Sequence, residues 1–317
     1  MRRVLRFVFE GLTALALSLT TLQLTACIAG YQRQQAGSAA SVPRPIPGRL
    51  AVAPEVESRN ATSGSSAEYR RRILNFAHRG ASAYIAEHTL GAYRTAISQG
   101  ADYLEVDVHG SRDGALVLVH DASLKRTTGA NQMIRDLTLR EIHAIDPNIL
   151  TVQQLFAAFP ATPINIEIKQ REPSIAAELA GAIRAAEREN LVIVSSGSSE
   201  SIAEFRSASG GRVATGAALT EVLGVYGNYL FGLGLEAPLA FDALQVPYQS
   251  IAGIDLSTPE FIAYARKHEL EVHFWTVDEA SEMERLILAG ANGIMTNRPD
   301  ILTGVLRSLS DAPASTN

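Results

Sequence analysis

The sequence predicts an α/β chain of the TIM (β/α)8 barrel class in a single domain, and three observations predict it. Short apolar runs alternate with longer helical patterns, which implies a parallel sheet covered by helices. The body that carries this alternation, residues 71–308, has the roughly 240 residues usual for one such barrel. Polar, chemically loaded residues stand at the ends of the apolar runs, where a barrel builds its site.

In chain order, strands are expected at 73–77, 103–108, 116–119, 164–168, 191–195, 213–217, 243–246, 272–276 and 293–296. Helical periodicity falls on 89–99, 138–144, 152–159, 174–189, 199–209, 259–268 and 280–289. Thr258-Pro259 and Glu172-Pro173-Ser174 open two of these helices, and Gly100 and Gly290 close two others. Eight βα units remain once 116–119 is set aside as an excursion after the second barrel strand. Pattern alone also fits an open doubly wound sheet, although no Gly-x-Gly-x-x-Gly opens a helix as a dinucleotide-binding version would need. One segment breaks the rhythm. Glu221–Phe241 is glycine-rich and apolar, with Tyr226, Tyr229, Leu230, Phe231, Leu233, Leu235 and Leu239. The plainer expectation is a barrel helix with an irregular end; the alternative is an exposed apolar lip that meets lipid or an acyl chain.

The ends of the chain read differently from its body. Residues 1–26 have the order of a signal peptide: Arg2, Arg3 and Arg6 precede an uncharged, largely Ala, Leu and Thr stretch from Gly11 to Leu24. Leu24-Thr25-Ala26-Cys27 resembles a lipobox, in which the cysteine becomes the acylated N-terminus; an uncleaved membrane helix is the alternative. Cys27 is the one cysteine of the chain, so no intramolecular disulfide competes for it. Residues 27–70, rich in Ala, Ser, Pro and Gly, are expected to be a disordered tether, and 309–317 a disordered tail. From these features the protein is expected in the cell envelope as a membrane-anchored lipoprotein; with Ile28 after the cysteine, a Gram-negative host would place it in the outer membrane or on the periplasmic face. With 28 basic and 33 acidic residues and no basic stripe, nucleic acid is excluded as a partner class.

The densest chemistry lies between Phe76 and Asp121. Glu105, Asp107 and His109 alternate along one strand and so share a face; Glu167 and Lys169 repeat that spacing on another. Three carboxylates from two strands suit a hard divalent cation, Ca²⁺ or Mg²⁺, whereas a zinc site would want clustered His or Cys. The same carboxylates are also able to form buried ion pairs with Arg79 and Lys169, two cations that suit a phosphate. Cleaving a phosphodiester needs a base and an acid, and histidines serve both. His78 and His120, each in a polar turn after an apolar run, are the expected pair; His88, His143 and His268 are expected in surface or capping roles, with His109 and His273 near the site.

These blocks together resemble the glycerophosphodiester phosphodiesterase family. They are Ala77-His78-Arg79-Gly80, Glu87-His88-Thr89, Tyr103–Val108, Asp113-Gly114, Val119-His120-Asp121, Leu124–Thr127, Asn165–Lys169, Trp275-Thr276-Val277 and Gly293–Pro299, in order over 73–305. The resemblance implies His78 and His120 as acid–base pair, and Glu105, Asp107 and Glu167 as holders of the divalent metal. It further implies Arg79 and Lys169 on the phosphate, Trp275 against the alcohol portion and Glu87 ordering the metal's surroundings. The implied reaction is hydrolysis of a glycerophosphodiester to an alcohol and sn-glycerol 3-phosphate. A lysophospholipid substrate or a non-catalytic envelope lipoprotein is the alternative. The sequence departs from the family at His88, where Asn is usual, at Ser196-Gly197, where Ser-Phe is common, and at Gly110, where a bulkier residue is typical.

Overall fold

The structure, a computed structural model, describes residues 73–236 and 238–311. The expected signal peptide, Cys27, the tether to residue 70 and the end of the tail lie outside the described residues. Among the described residues nine strands form one sheet: β1 Leu74–Ala77, β2 Tyr103–Gly110, β3 Leu116–Leu118, β4 Ile164–Ile168, β5 Val192–Ser195, β6 Ala214–Thr215, β7 Ala243–Pro247, β8 Glu271–Trp275 and β9 Gly293–Thr296. Their order is β6-β5-β4-β2-β1-β9-β8-β7, with β3 antiparallel to β2 and off the path. A parallel bridge between Gly216 and Ala243 links the two ends, so the eight parallel strands curl into a nearly closed barrel. The open-sheet alternative is thereby excluded.

Seven helices cover the barrel: α1 Leu90–Ser98, α5 Ala176–Ala185, α6 Ser199–Ser209, α7 Leu219–Leu230, α8 Pro259–Lys267, α9 Ala280–Ala289 and α10 Pro299–Asp311. Three shorter ones, α2 Lys125–Thr128, α3 Leu139–Ile145 and α4 Val152–Ala158, belong to the excursion after β2. Caps fix their starts: Thr138 and Thr151 form capping boxes with Glu141 and Gln154, and Thr258 accepts from Phe261 N ahead of Pro259. The last helix reaches Asp311, into the expected tail. Leu302, Val305, Leu306 and Leu309 keep a helical stripe there, and the first three pack on the barrel.

Every residue of β2 is buried, because it lies between β1 and β4 and carries β3 on its continuation. The barrel interior is filled by Leu74, Phe76, Tyr103, Ile193 and Met295. Gly293 is required there, since a Cβ would stand 2.6 Å from the Phe76 ring. Gly110 has a similar reason at the end of β2: a Cβ would meet Ile175 Cγ2 at 2.6 Å. The bulkier residue usual at that position is excluded by this neighbour.

The excursion has a small core of its own, Val117, Val119, Leu124, Ile134, Ile142 and Ile149. It is tied to the barrel by Val119 N donating to Asp107 O at 3.1 Å. The apolar 221–241 segment resolves into α7 and the loop leading to β7. Tyr226 and Tyr229 pack against Phe261, while Leu230, Phe231 and Leu233 are exposed. Those three lie where a helix hands over to the start of a strand, the base of the barrel, so they form no lip at its mouth.

Candidate active site

The register of two strands builds the acidic centre. Asp107 on β2 is the partner of Glu167 on β4, and Glu105 stands two residues before Asp107 on the same face. Side-chain oxygens of Glu105, Asp107 and Glu167 consequently lie within 4.8 Å of one another. Glu105 and Asp107 are only 2% and 1% exposed. Burial, then the neighbouring Asp107 and Glu167 charges, push the Glu105 carboxyl well above the usual range. Burial also raises Asp107, but a hydrogen bond and charge from His88, with Arg79 and Lys169, outweigh it and hold that carboxyl below the usual range.

Two cations face the cluster. Arg79 Nε stands 3.0 Å from Asp107 Oδ2, and Arg79 N–H donates to Glu105 Oε2 at 2.9 Å. Lys169 Nζ stands 3.0 Å from Glu167 Oε1 and 3.7 Å from Asp107 Oδ1. Arg79 has φ +56°, a left-handed conformation uncommon for a side chain of its size; the turn holds it so that backbone and guanidinium both reach the carboxylates. The expected ion pairs are therefore formed, yet among the described residues Glu105 has no side-chain cation as hydrogen-bond partner and remains buried beside two like charges. A cluster of three oxygen donors with that surplus of negative charge fits a divalent cation.

Glu87 sits outside the cluster and acts on it through Arg79, whose Nη1 is 3.3 Å from Glu87 Oε2. Its other oxygen is 2.5 Å from Arg126 Nη2. Burial raises the Glu87 carboxyl, but these two arginines and His88 bring it below its usual range.

The two candidate proton-transfer histidines approach from different sides. His78 follows β1, and its Nδ1 is 2.7 Å from Asn297 Oδ1, beyond the end of β9. Burial first, and then the Arg79 charge, lower its pKa to about 4 against a smaller opposing contribution from the Asn297 hydrogen bond. His120 lies on the excursion, 31% exposed, with Nδ1 2.7 Å from Asp121 Oδ1. Arg126 Nε in turn binds Asp121 Oδ2 at 2.6 Å, so one guanidinium joins Asp121 to Glu87.

The remaining histidines divide sharply. His88 is no surface or cap residue: it is 4% exposed, with Nε2 3.1 Å from Asp107 Oδ2 and Nδ1 2.8 Å from Tyr93 OH. Thr89 is the cap of α1, and His88 stands just before it at φ +58°, which turns its ring inward. His109 ties the excursion down through a hydrogen bond to His120 O at 3.2 Å. It also lines a cavity of about 260 Å³ with Met133, Arg135, Lys169, Gln170 and Glu172. His273 is fully buried in the barrel against Phe76, hydrogen-bonded to Glu271, two residues below the mouth. His143 binds Ile149 O and the His268 ring packs tilted against Tyr264, both away from the carboxylates.

Trp275 ends β8 with its indole 43% exposed at the mouth, and Tyr84, Ile85 and Ile251 are exposed on the loops after β1 and β7. Gly197, after β5, has open space where a side chain would go. Sequence reasoning passed over Asp121, Arg126, Asp278 and Asn297. Three of them stand inside the blocks quoted above, but nothing local marks which partner each would find.

The sequence profile of the glycerophosphoryl diester phosphodiesterase family matches residues 78–301. A glycerophosphodiester phosphodiesterase of Caldanaerobacter subterraneus subsp. tengcongensis is 30% identical over 253 residues, covering 74% of this chain and 98% of that protein. A lysophospholipase D of Rattus norvegicus is 27% identical over 281 residues, 76% of this chain and 89% of that one. Among solved structures, a glycerophosphodiester phosphodiesterase from Thermotoga maritima superposes with a TM-score of 0.59 at 27% identity, covering 74% of this chain and 98% of that chain. A phosphodiesterase from Oleispira antarctica, solved with the product sn-glycerol-3-phosphate, shares the fold at 19% identity and a TM-score of 0.60, over 74% and 96% of the two chains.

Proposed function

The chain belongs to the glycerophosphoryl diester phosphodiesterase family, and from that premise we propose how its own residues hydrolyse a glycerophosphodiester to an alcohol and sn-glycerol 3-phosphate. The observation that carries the proposal is the meeting of three carboxylates, two cations and two Nδ1-anchored histidines at one end of the barrel. Glu105, Asp107 and Glu167 would hold a divalent cation, Ca²⁺ or Mg²⁺, which when bound supplies positive charge against the phosphoryl oxygens. Arg79 and Lys169 add fixed charge on the same side, and a substrate phosphate would draw them partly away from the carboxylates.

His78, half-buried and held neutral at pH 7 by desolvation and the Arg79 charge, suits the base: it takes the proton of the nucleophile as the new bond to phosphorus forms. His120, in contact with the Asp121 carboxylate, suits the acid and gives its proton to the departing alcohol oxygen as the old P–O bond breaks. Trp275 would flank the alcohol portion.

A second reading, hydrolysis of lysophospholipids, draws on the exposed apolar rim of Tyr84, Ile85, Ile251 and Trp275 and on the likeness to a lysophospholipase D. Turnover of glycerophosphocholine against lysophosphatidylcholine, with Ca²⁺ and Mg²⁺ supplied separately, decides both substrate and metal. Inactivity on glycerophosphocholine with full activity on the acylated lipid would reverse the order of the two. Acylated Cys27 as a membrane anchor in the cell envelope is proposed from sequence. Cys27→Ala should move the protein from the membrane to the soluble fraction, and unchanged membrane association would refute the anchor.

A further inference from the structure

Asn297 is brought to His78 by strand pairing. Ala77 and Thr296 are partners across β1 and β9, and His78 N–H continues the ladder to Thr296 O at 2.9 Å. The side chain of Asn297 then lies between His78 and Asp278, which follows β8.

Three donors converge on the Asp278 carboxylate: Asn297 Nδ2 at 2.6 Å, Asn297 N–H at 2.8 Å and Thr296 Oγ1 at 3.0 Å. A carboxylate only accepts, so the amide NH2 is committed to Asp278 and the amide oxygen is turned to His78. That oxygen is 2.7 Å from His78 Nδ1. Since it has no proton to give, Nδ1 must be the protonated nitrogen, and in the neutral ring Nε2 keeps its lone pair. Ser82 Oγ, 2.7 Å from both Asn297 Oδ1 and His78 O, closes the arrangement.

We infer that Asp278 and Asn297 are positioning residues that fix the Nδ1–H tautomer and the ring orientation of His78, so that Nε2 is the atom exchanging a proton with the substrate. This rests on the reading of His78 as the base. The other charged or titratable groups bearing on the ring are Arg79 on its own loop, His88 before α1 and Asp107 on β2. None of them hydrogen-bonds Nδ1, so the tautomer is set from the β8–β9 side.

A purely structural role for the pair would show as lost stability without a change in the protonation behaviour of the folded enzyme. The tautomer role predicts more. Asp278→Asn frees the Asn297 amide to turn over; its NH2 then faces His78, demands a lone pair on Nδ1 and moves the proton to Nε2. The swap of both residues, D278N with N297D, keeps the donor–acceptor chain but places a carboxylate against the ring, as in a Ser-His-Asp arrangement.

The experiment uses the full chain with saturating divalent cation and glycerophosphocholine, comparing wild type, H78A, D278N, N297A and the D278N/N297D swap. kcat, KM, pH profile and thermal midpoint are read for each. The expected result is a fall in kcat of about ten-fold or more in D278N and N297A with KM changed by less than about three-fold, a fraction of the contribution of the base itself. The swap should recover activity relative to D278N and move the acid limb of kcat/KM upward by about one pH unit, because the new carboxylate favours the protonated ring. Wild-type kcat and pH profile in D278N and N297A, with H78A inactive, would overturn the inference. So would losses that vanish once activity is expressed per folded molecule. An active H78A would instead remove the underlying assignment of His78.

Discussion

His78 and His120 are the same residue type in contrasting settings. His78 sits in the turn after β1, half-buried, held by a neutral amide that is itself held by a carboxylate. His120 sits on an excursion with a separate core, 31% exposed, held directly by Asp121, which shares Arg126 with Glu87. The difference teaches how one fold gives two imidazoles distinct surroundings. Desolvation and the Arg79 charge lower the pKa of His78, whereas His120 is set against a carboxylate.

The sharpest way to break the comparison is to remove each ring in turn. His78→Ala and His120→Ala should each lower kcat by about 10²–10⁴-fold, the usual range for a proton-transfer group, with circular dichroism unchanged. The comparison predicts that they erase opposite limbs of the pH profile; loss of the same limb in both would refute the division of roles. Metal removal comes next. Chelation should abolish turnover, and returned Ca²⁺ or Mg²⁺ should restore it and raise the thermal midpoint, because the cation would relieve the repulsion among Glu105, Asp107 and Glu167.

A third prediction concerns stability against pH in the metal-free protein. Folded His78 titrates near 4 and the unfolded ring near 6.5, so the unfolded chain binds the extra proton between those values. Stability should therefore fall as pH drops from about 6.5 to about 4. His78→Gln should flatten that slope in denaturant titrations. Equal slopes for wild type and His78→Gln would show that the desolvation of His78 is not felt in stability.

Two smaller effects probe the junction and the clasp. Gly110→Ala, where β2 leaves for the excursion, should cost about 1–3 kcal/mol, since its Cβ would press on Ile175. A shift of the denaturant midpoint measures it. Arg126→Ala should change stability by less than about 1 kcal/mol because the guanidinium is exposed and its two carboxylate partners are only half-buried. Its kcat should fall modestly and lose salt dependence, which initial rates at low and high ionic strength would read.

Much of this was legible in the sequence. The apolar runs fell on all nine strands, and period-two alternation placed Glu105 with Asp107 and Glu167 with Lys169. His88 was misjudged because its neighbour Thr89 opens a helix, and a residue before a cap usually faces solvent. Here a left-handed turn swings it onto Asp107. The 221–241 segment reads in the sequence as a barrel helix with an irregular end, which α7 and its loop match, but the position of 230–233 at the barrel base depends on which strand follows. The last helix was missed because its stripe runs into a polar, small-residue tail.

The sequence by itself determined the alternation of strands and helices, the excursion and the residue types at the strand ends, because hydrophobic period and local caps are properties of neighbouring residues. Only the tertiary structure decided the partners: Asp107 beside Glu167, Arg126 between Glu87 and Asp121, and Asp278 through Asn297 onto His78. Those pairings join residues as far apart as 219 positions, and they are set by strand register and barrel closure, which no local pattern encodes.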